Sequence, residues 1–367
     1  MKKYLFFLTS IGILLTSCGK DDPEVEDVVF DKEEIASIEQ LNRAAFRLYD
    51  ELVSGKSKES YAFSPLSIEF TLGMEANSIE HPSLVEFLDQ NSLESGNSLF
   101  EKIRKKLNQR GNGNESSLSN ALFNNTLFPK DKNLNAAAKD FFKADIYNED
   151  FTDYEAVRDK IHDWLMKNTK EFLNIPEVGI DPLFPRVLCN ALYFKHKWAD
   201  PFSAKDTYAG YFTGTDGYAR KEQMMHKREN CNYYTSSSMT SIEKLYENKS
   251  FSMIFILSDK DALSFEDYQA VREGWTKHNV KITLPKFDTE TMLYFNMGSF
   301  GFENLFGLHV ARVKTDEEGT EAAAVTELIL GASGPTEPDV VFKADRPFFY
   351  VITDNETGLI LFIGRYC

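Results

Sequence analysis

Residues 315–334, TDEEGTEAAAVTELILGASG, carry the pattern on which a mechanism can be built. Read as a strand, with side chains on alternate faces, Thr320, Ala322, Ala324, Thr326, Leu328 and Leu330 share one face, small at its start and apolar further on. Glu321, Ala323, Val325, Glu327, Ile329 and Gly331 share the other. A small inward face suits a strand that slides between two existing strands, and Gly319 supplies a hinge because glycine tolerates backbone angles that other residues avoid. The same composition is a good helix former, and taken alone it favours a surface helix or a linker. Bond-making chemistry has no comparable pattern. There is no His-Glu-x-x-His, no Cys-x-x-Cys pair and no glycine-rich phosphate loop. Gly331-Ala332-Ser333-Gly334 is followed by Pro335 where a nucleophile elbow needs its second glycine. The chain is therefore not expected to be an enzyme, and no metal or cofactor is expected.

The elements that must position this stretch can be read along the chain. Lys2 and Lys3 precede an apolar run, Tyr4 to Leu15, too short for a membrane span with stop-transfer flanks. The run ends in Leu15-Thr16-Ser17-Cys18, which resembles the cleavage site of bacterial lipoproteins. Residues 1–17 then form a signal peptide, Cys18 is the lipid-bearing N-terminus, and residues 18–31 are an acidic, aperiodic tether. Residues 32–367 form one large domain, with no internal repeat and no central linker. The net charge of −16 argues against nucleic acid as a partner. The basic cluster Lys102, Arg104, Lys105, Lys106 and Arg110 reads as the wet face of a helix. Cys189, Cys231 and Cys367 fit no zinc or redox spacing. Ile38, Leu41, Ala45, Leu48 and Leu52 repeat at helical spacing, with Gly55 as the expected C-cap. Residues 190–198 alternate as a central strand, and Asp354–Gly358 reads as a turn between two apolar strands.

Several of these motifs resemble those of one family. Glu317-Glu-Gly-Thr-Glu-Ala-Ala-Ala324 and, downstream, Phe342-Lys-Ala-Asp-Arg-Pro-Phe348 resemble the hinge and C-terminal strands of a serpin. Phe63-Ser-Pro-Leu-Ser-Ile68, Asn190-Ala-Leu-Tyr-Phe-Lys-His-Lys-Trp198 and Leu284-Pro-Lys286 fit the same pattern. The chain departs from it at Glu69, Glu75 and the 70–115 region, and at His196, where the family has glycine. The resemblance implies an α+β serpin fold: a large, mostly antiparallel central sheet, two further sheets, about eight or nine helices, and an exposed reactive loop at about 317–338. It implies a hinge of Glu317, Glu318, Gly319, Thr320, Glu321, Ala322, Ala323 and Ala324. It implies a central polar cluster, the shutter, of Ser64, Ser67, Asn190 and His309. At the top of the sheet it implies a breach of Trp198, Lys286 and Glu317, with Lys286 paired to Glu317.

The implied activity is suicide inhibition of serine proteases, in which the loop is cut, the acyl-enzyme is trapped and the loop enters the main sheet. The family's usual spacing from Glu317, and that of relatives with a similar run before Pro347, implies a cut at Ser333-Gly334, with Ala332-Ser333 as second choice. Small, uncharged residues before the cut point to elastase-like or subtilisin-like proteases, from a host or a competitor. The rival reading is a non-inhibitory, serpin-like surface binding module. The expected setting is an outer-membrane, surface-exposed lipoprotein of a Gram-negative bacterium, or its periplasmic face. The lipid would be the only membrane contact, and the protein is expected to be a monomer.

Overall fold

The computed structural model describes residues 28–56, 58–108, 110–111, 114–173, 179–302, 305–320 and 338–367. Its first half is largely helical: α1 (Lys32–Leu52), β1 (Tyr61–Phe63), α2 (Pro65–Glu75), α3 (Leu84–Phe87), α4 (Leu93–Leu107), β2 (Arg110–Gly111), β3 (Asn114–Asn125), α5 (Lys132–Asp140), β4 (Asp145–Glu149) and α6 (Tyr154–Asn168). Strands dominate the second half: β5 (Arg186–Lys197), β6 (Thr207–Thr213), β7 (Ala219–Thr235), β8 (Met239–Leu245) and β9 (Phe251–Ser258). Then follow α7 (Phe265–Glu273), β10 (Thr276–Pro285), β11 (Phe287–Asn296), β12 (Phe306–Thr315), β13 (Gly319–Thr320), β14 (Val340–Lys343), β15 (Phe348–Asp354) and β16 (Ile360–Tyr366).

Local chemistry sets the boundaries. Asp31 caps α1 by accepting from the backbone of Glu33 and Glu34, and Glu34 answers in a capping box. α1 buries Ile38, Leu41, Ala45 and Leu48. It ends at Val53 rather than at Gly55, which sits two residues further on in a 3-10 turn. Ser64 caps α2, with Pro65 at the first helical position, where its missing N–H costs nothing. Gly358 closes the turn between β15 and β16 at φ +77°, the left-handed region that glycine tolerates.

The main sheet has seven strands in the order β11-β12-β13-β5-β3-β2, with β4 on β3. The second has nine, β1-β16-β15-β9-β8-β7-β10-β14, with β6 on β7. The two further sheets expected from the sequence are thus one continuous ladder. The reason is β7, whose 17 residues pair with β6 and β10 and then, at the far end, with β8. Seven α-helices occur among the described residues, against the eight or nine expected. The core lies between the sheets, where Phe194 meets Tyr246 and Phe251 edge-on. α6 covers the opposite face of the main sheet, packing Val157, Ile161 and Trp164 on Ala121, Phe123, Cys189 and Ala191.

The region that departs from the family pattern forms regular structure with its own polar bookkeeping. Glu75, buried at the end of α2, accepts Arg186 Nε at 3.0 Å and lies 2.8 Å from His81 Nδ1. Arg186 also reaches Glu80 and Ser78. The basic face of α4 is largely neutralised: Lys102 pairs with Glu34, Lys105 with Glu101, and Lys106 with Asp354 and Glu356. Glu69 is different. It is 1% exposed, and its Oε1 has no hydrogen-bond partner among the described residues.

Burial pushes the Glu69 carboxyl well above its ordinary value, and the Arg47 charge opposes this only weakly. A carboxyl raised on folding contributes stability that is present below its unfolded pKa and is lost as pH rises through the folded one. Glu69→Met should therefore raise the melting temperature by a few degrees at pH 7.5, since an orphaned buried polar group costs about 1–3 kcal/mol. The gain should shrink towards pH 4. Thermal melts at the two pH values check this; a lower melting point for the variant at pH 7.5 would refute it.

Candidate functional site: the seam of the main sheet

β13 is two residues long, yet it holds the middle of the main sheet. Thr320 pairs with Thr315 of β12 on one side and with His196 of β5 on the other, and Gly319 pairs with Lys197. Both contacts are antiparallel, so β12 and β5 run parallel. Among the described residues β13 is what joins them, and below it the two strands border a seam. Gly319 fits only because it lacks a side chain: a Cβ there would lie 2.2 Å from the His196 carbonyl oxygen. Thr320 is buried, and its Oγ1 lies 2.7 Å from the Tyr246 hydroxyl.

A clamp built from the turn after β5 holds this entry point. Trp198 donates its backbone N–H to the Glu318 carbonyl at 2.7 Å and its indole N–H to the Asp316 carbonyl at 3.0 Å. Phe202 donates to the Glu317 carbonyl at 2.8 Å. The Asp316 carboxylate accepts from the backbone of Glu318 and Gly319, folding the hinge back towards β5. Trp198 stacks on Tyr246 with ring centroids 4.7 Å apart. Lys286 Nζ lies 2.7 Å from Glu317 Oε2. Burial alone would raise the Glu317 carboxyl; the bond and charge of Lys286, with bonds from the Glu317 backbone and Thr207, outweigh it and hold the carboxyl below its ordinary value. Lys286 is 41% exposed, and pairs of that kind contribute about 0–1 kcal/mol.

The turn is itself anchored from below by a residue the sequence reading passed over. Lys244, 1% exposed, donates to the Asp200 carbonyl and to Glu229, each at 2.7 Å. It lies 4.6 Å from the centre of the Phe202 ring and 5.4 Å from that of Trp198. Burial lowers its pKa against the pull of Glu229. Strand parity held the signal: Ile242, Lys244 and Tyr246 share a face, and the other two are fully buried.

Halfway down the seam lies a cavity of about 60 Å³. Ser64, Ser67, Asn190 and His309 all line it, with Leu165 and Phe172 closing it from the side of α6. Ser64 donates its N–H to His309 Nε2 at 3.2 Å and its hydroxyl to the Leu361 carbonyl at 2.8 Å. Its Oγ also accepts from the Ser67 backbone at 3.3 Å. His309 is neutral in this role, and burial pushes its pKa down to about 3. Asn190 does not join the His309 network: its Nδ2 donates to Asn120 Oδ1 at 2.9 Å, the residue facing it on β3, and its Oδ1 is left without a partner among the described residues. Glu321, Ala322, Ala323, Ala324, Ala332, Ser333, Gly334 and Cys18 lie outside the described residues. Glu75, Glu80 and His81 bring donor atoms within 4.8 Å of one another. Arg186 bonds both glutamates there, so the group reads as an ion-pair knot.

A family model described as "Serpin (serine protease inhibitor)" matches residues 39–367. The chain belongs to the serpin family. It is 29% identical over 368 residues to the leukocyte elastase inhibitor of Xenopus laevis, covering 88% of this chain and 96% of that one. The crystal structure of a thermophilic serpin, tengpin, in the native state superposes with a TM-score of 0.78 at 24% identity, over 92% of this chain and 94% of that one. Human thyroxine-binding globulin complexed with thyroxine gives 0.77 at 22%, over 90% and 98%.

The close approach at Gly319 yields a test. Gly319→Ala should unseat β13 and weaken the Thr320–Tyr246 contact, because the clashing atoms are backbone and cannot rotate away. Amide exchange of residues 316–320 should quicken at least several-fold while β15 and β16 keep their protection. Unchanged exchange in the hinge would refute the close-packed seat.

Proposed function

We propose that this serpin is a suicide inhibitor of serine proteases. Family membership supports protease inhibition in general terms. The observation that carries the specific reading is that Gly319 and Thr320 already sit in the seam, antiparallel to both neighbours. A strand continuing that register would set Ala322 between Phe194 and Val313, Ala324 between Leu192 and Ala311, and Thr326 between Asn190 and His309. The small inward residues thus meet the packed upper seam, and a hydroxyl meets the polar cluster with its unpaired Asn190 oxygen. A non-inhibitory binding module would have no need of so graded a strand.

The reaction follows from the loop as substrate. The protease serine attacks the carbonyl of Ser333, or of Ala332 one bond earlier. An ester forms, the peptide bond to the next residue breaks, and the new amine leaves with the proton. The freed end enters the seam before water reaches the ester, so the protease stays bound. Leu330, Gly331, Ala332 and Ser333 suit the shallow pockets of elastase-like or subtilisin-like enzymes. Cys18 is the lipid attachment point in this reading, and it holds a monomeric inhibitor at the outer-membrane surface, facing proteases of a host or competitor.

Mixing the protein with an elastase-like and a subtilisin-like protease should give a complex that survives a denaturing gel. The released C-terminal fragment should begin at Gly334 by intact mass, or at Ser333 for the second choice. Clean cleavage without a complex would overturn the inhibitor reading, and a fragment beginning before Leu330 would overturn the register.

Thr320→Arg should turn the inhibitor into a substrate. The guanidinium would have to enter a buried seat beside Tyr246 and His196, where an unpaired charge is very costly. Cleavage should then proceed with at least a tenfold loss of trapped complex. Trapping at near-equal stoichiometry would refute the seating of this face.

A further inference from the structure

His196 is the residue in the breach whose chemistry nothing yet explains. It stands on β5 directly opposite Thr320. The side chain is 2% exposed, and neither Nδ1 nor Nε2 has a hydrogen-bond partner among the described residues. A buried imidazole almost always bonds through at least one nitrogen. Here the ring is held by stacking instead: 4.3 Å from the Phe194 ring, and edge-on to Tyr246 at 5.8 Å and Phe251 at 5.3 Å.

Among the described residues, no counter-charge offsets the burial of the ring. On β5, Lys195 and Lys197 alternate to the other face. From β3, Asn114 is engaged with Glu247 and with the Lys197 N–H, and Glu115 pairs with Lys170. Beyond β8, Glu247 takes the Asn114 amide, and the Tyr246 phenol, pushed up by burial, is engaged with Thr320. On β7, Glu229 is taken by Lys244. Of the hinge carboxylates, Asp316 binds its own backbone turn and Glu317 binds Lys286.

We propose that His196 is a proton-operated latch on the hinge: neutral, it seals β13 between β5 and β12; protonated, it releases Gly319 and Thr320. An imidazolium in this site must find water, and the element that can yield most easily is β13, held by two ladder pairs on one side and one on the other. Protonation therefore opens the seam at its upper end without any cut in the loop. The sign follows from burial, which pushes the His196 pKa from its ordinary 6.5 to about 3. The released state binds the proton and the sealed state does not, so sealing is strongest above about pH 6.5 and weakens as pH falls towards 3. At pH 4.5 the linkage allows up to about a 100-fold gain in the released population over pH 7.5.

The proposal bears on regulation of the inhibitor, but its readout needs no protease, so its failure and the failure of the inhibitor reading are distinguishable. Hydrogen exchange of a peptide spanning Asp316–Thr320 is measured on the uncut full chain at pH 7.5 and 4.5, corrected for intrinsic rates. Wild type should lose protection at least tenfold at pH 4.5, and His196→Phe should lose less than twofold. An equal acid response in His196→Phe, which keeps His309, would overturn the latch, as would a wild-type hinge indifferent to pH. Should that variant fail to fold, exchange at the imidazole C2 position, read by mass spectrometry, titrates His196 in wild type. A His196 that titrates together with loss of hinge protection supports the latch. Titration near its ordinary value while Gly319 and Thr320 stay protected overturns it.

Discussion

The constraint on which the rest depends is the parallel placement of β5 and β12 on either side of a short insert. A strand laid between two parallel neighbours can run antiparallel to both and bond to both. A two-residue insert satisfies only the top of that arrangement. Below it, the described seam is bordered by side chains of β5 and β12. Ala311 and Val313 on β12 face inwards there, and Leu192 and Phe194 do so on β5. The cavity at Asn190 and His309 lies beside this seam.

The contacts along the seam differ in kind from top to middle. At the top, contacts are short and largely through backbone: Trp198 to Asp316 and Glu318, Phe202 to Glu317, Gly319 against His196. The turn that makes these contacts rests on a buried lysine whose bonds run to Asp200 and Glu229. In the middle, polar groups are shared across elements that can part. His309 of β12 accepts from Ser64 at the head of α2, while Asn190 of β5 leans the other way, towards Asn120 of β3. The hydrogen bonds thus gather into two sets, one on each side of the line along which the sheet would open.

Much of this was legible in the sequence because it is local or periodic. The inward parity of Thr320 and the amphipathic face of α1 follow from spacing, and the pairing of Lys286 with Glu317 from the family resemblance. What escaped was tertiary. The helical periodicity that placed Gly55 as a cap could not register that Val53 already ends the helix. Asn190 and His309 line one cavity, but Asn190 bonds to Asn120 instead, because the residue facing it on β3 depends on strand register. The basic cluster on α4 reads as a wet face until Glu34, Asp354 and Glu356 arrive from distant elements. Lys244 and His196 had inward parity in view, but a charged or polar residue at an inward position is discounted until the structure supplies its surroundings.

The unpaired groups and the cavity near the seam bear on the insertion proposed above. A strand entering the seam gains ladder bonds of roughly 0.5–1.5 kcal/mol each, and ordering each of its residues costs about 1–2 kcal/mol. These two nearly cancel, so the direction of the change is decided by defects in the unfilled sheet. Among the described residues the seam has them: a cavity, an unpaired Asn190 oxygen and an unpaired imidazole. Glu69, buried on α2 outside the cavity lining, is a further unpaired group in the core behind it. Each is a polar group or a void that a conventional fold would remove. In the inhibitor reading proposed above, such defects would leave the uncut chain above its lowest free energy, with the clamp at Trp198 keeping it there. Stability and function are then opposed at these positions. Substitutions that repair the defects should strengthen the resting fold and weaken the drive to insert, with the largest opposition nearest the seam.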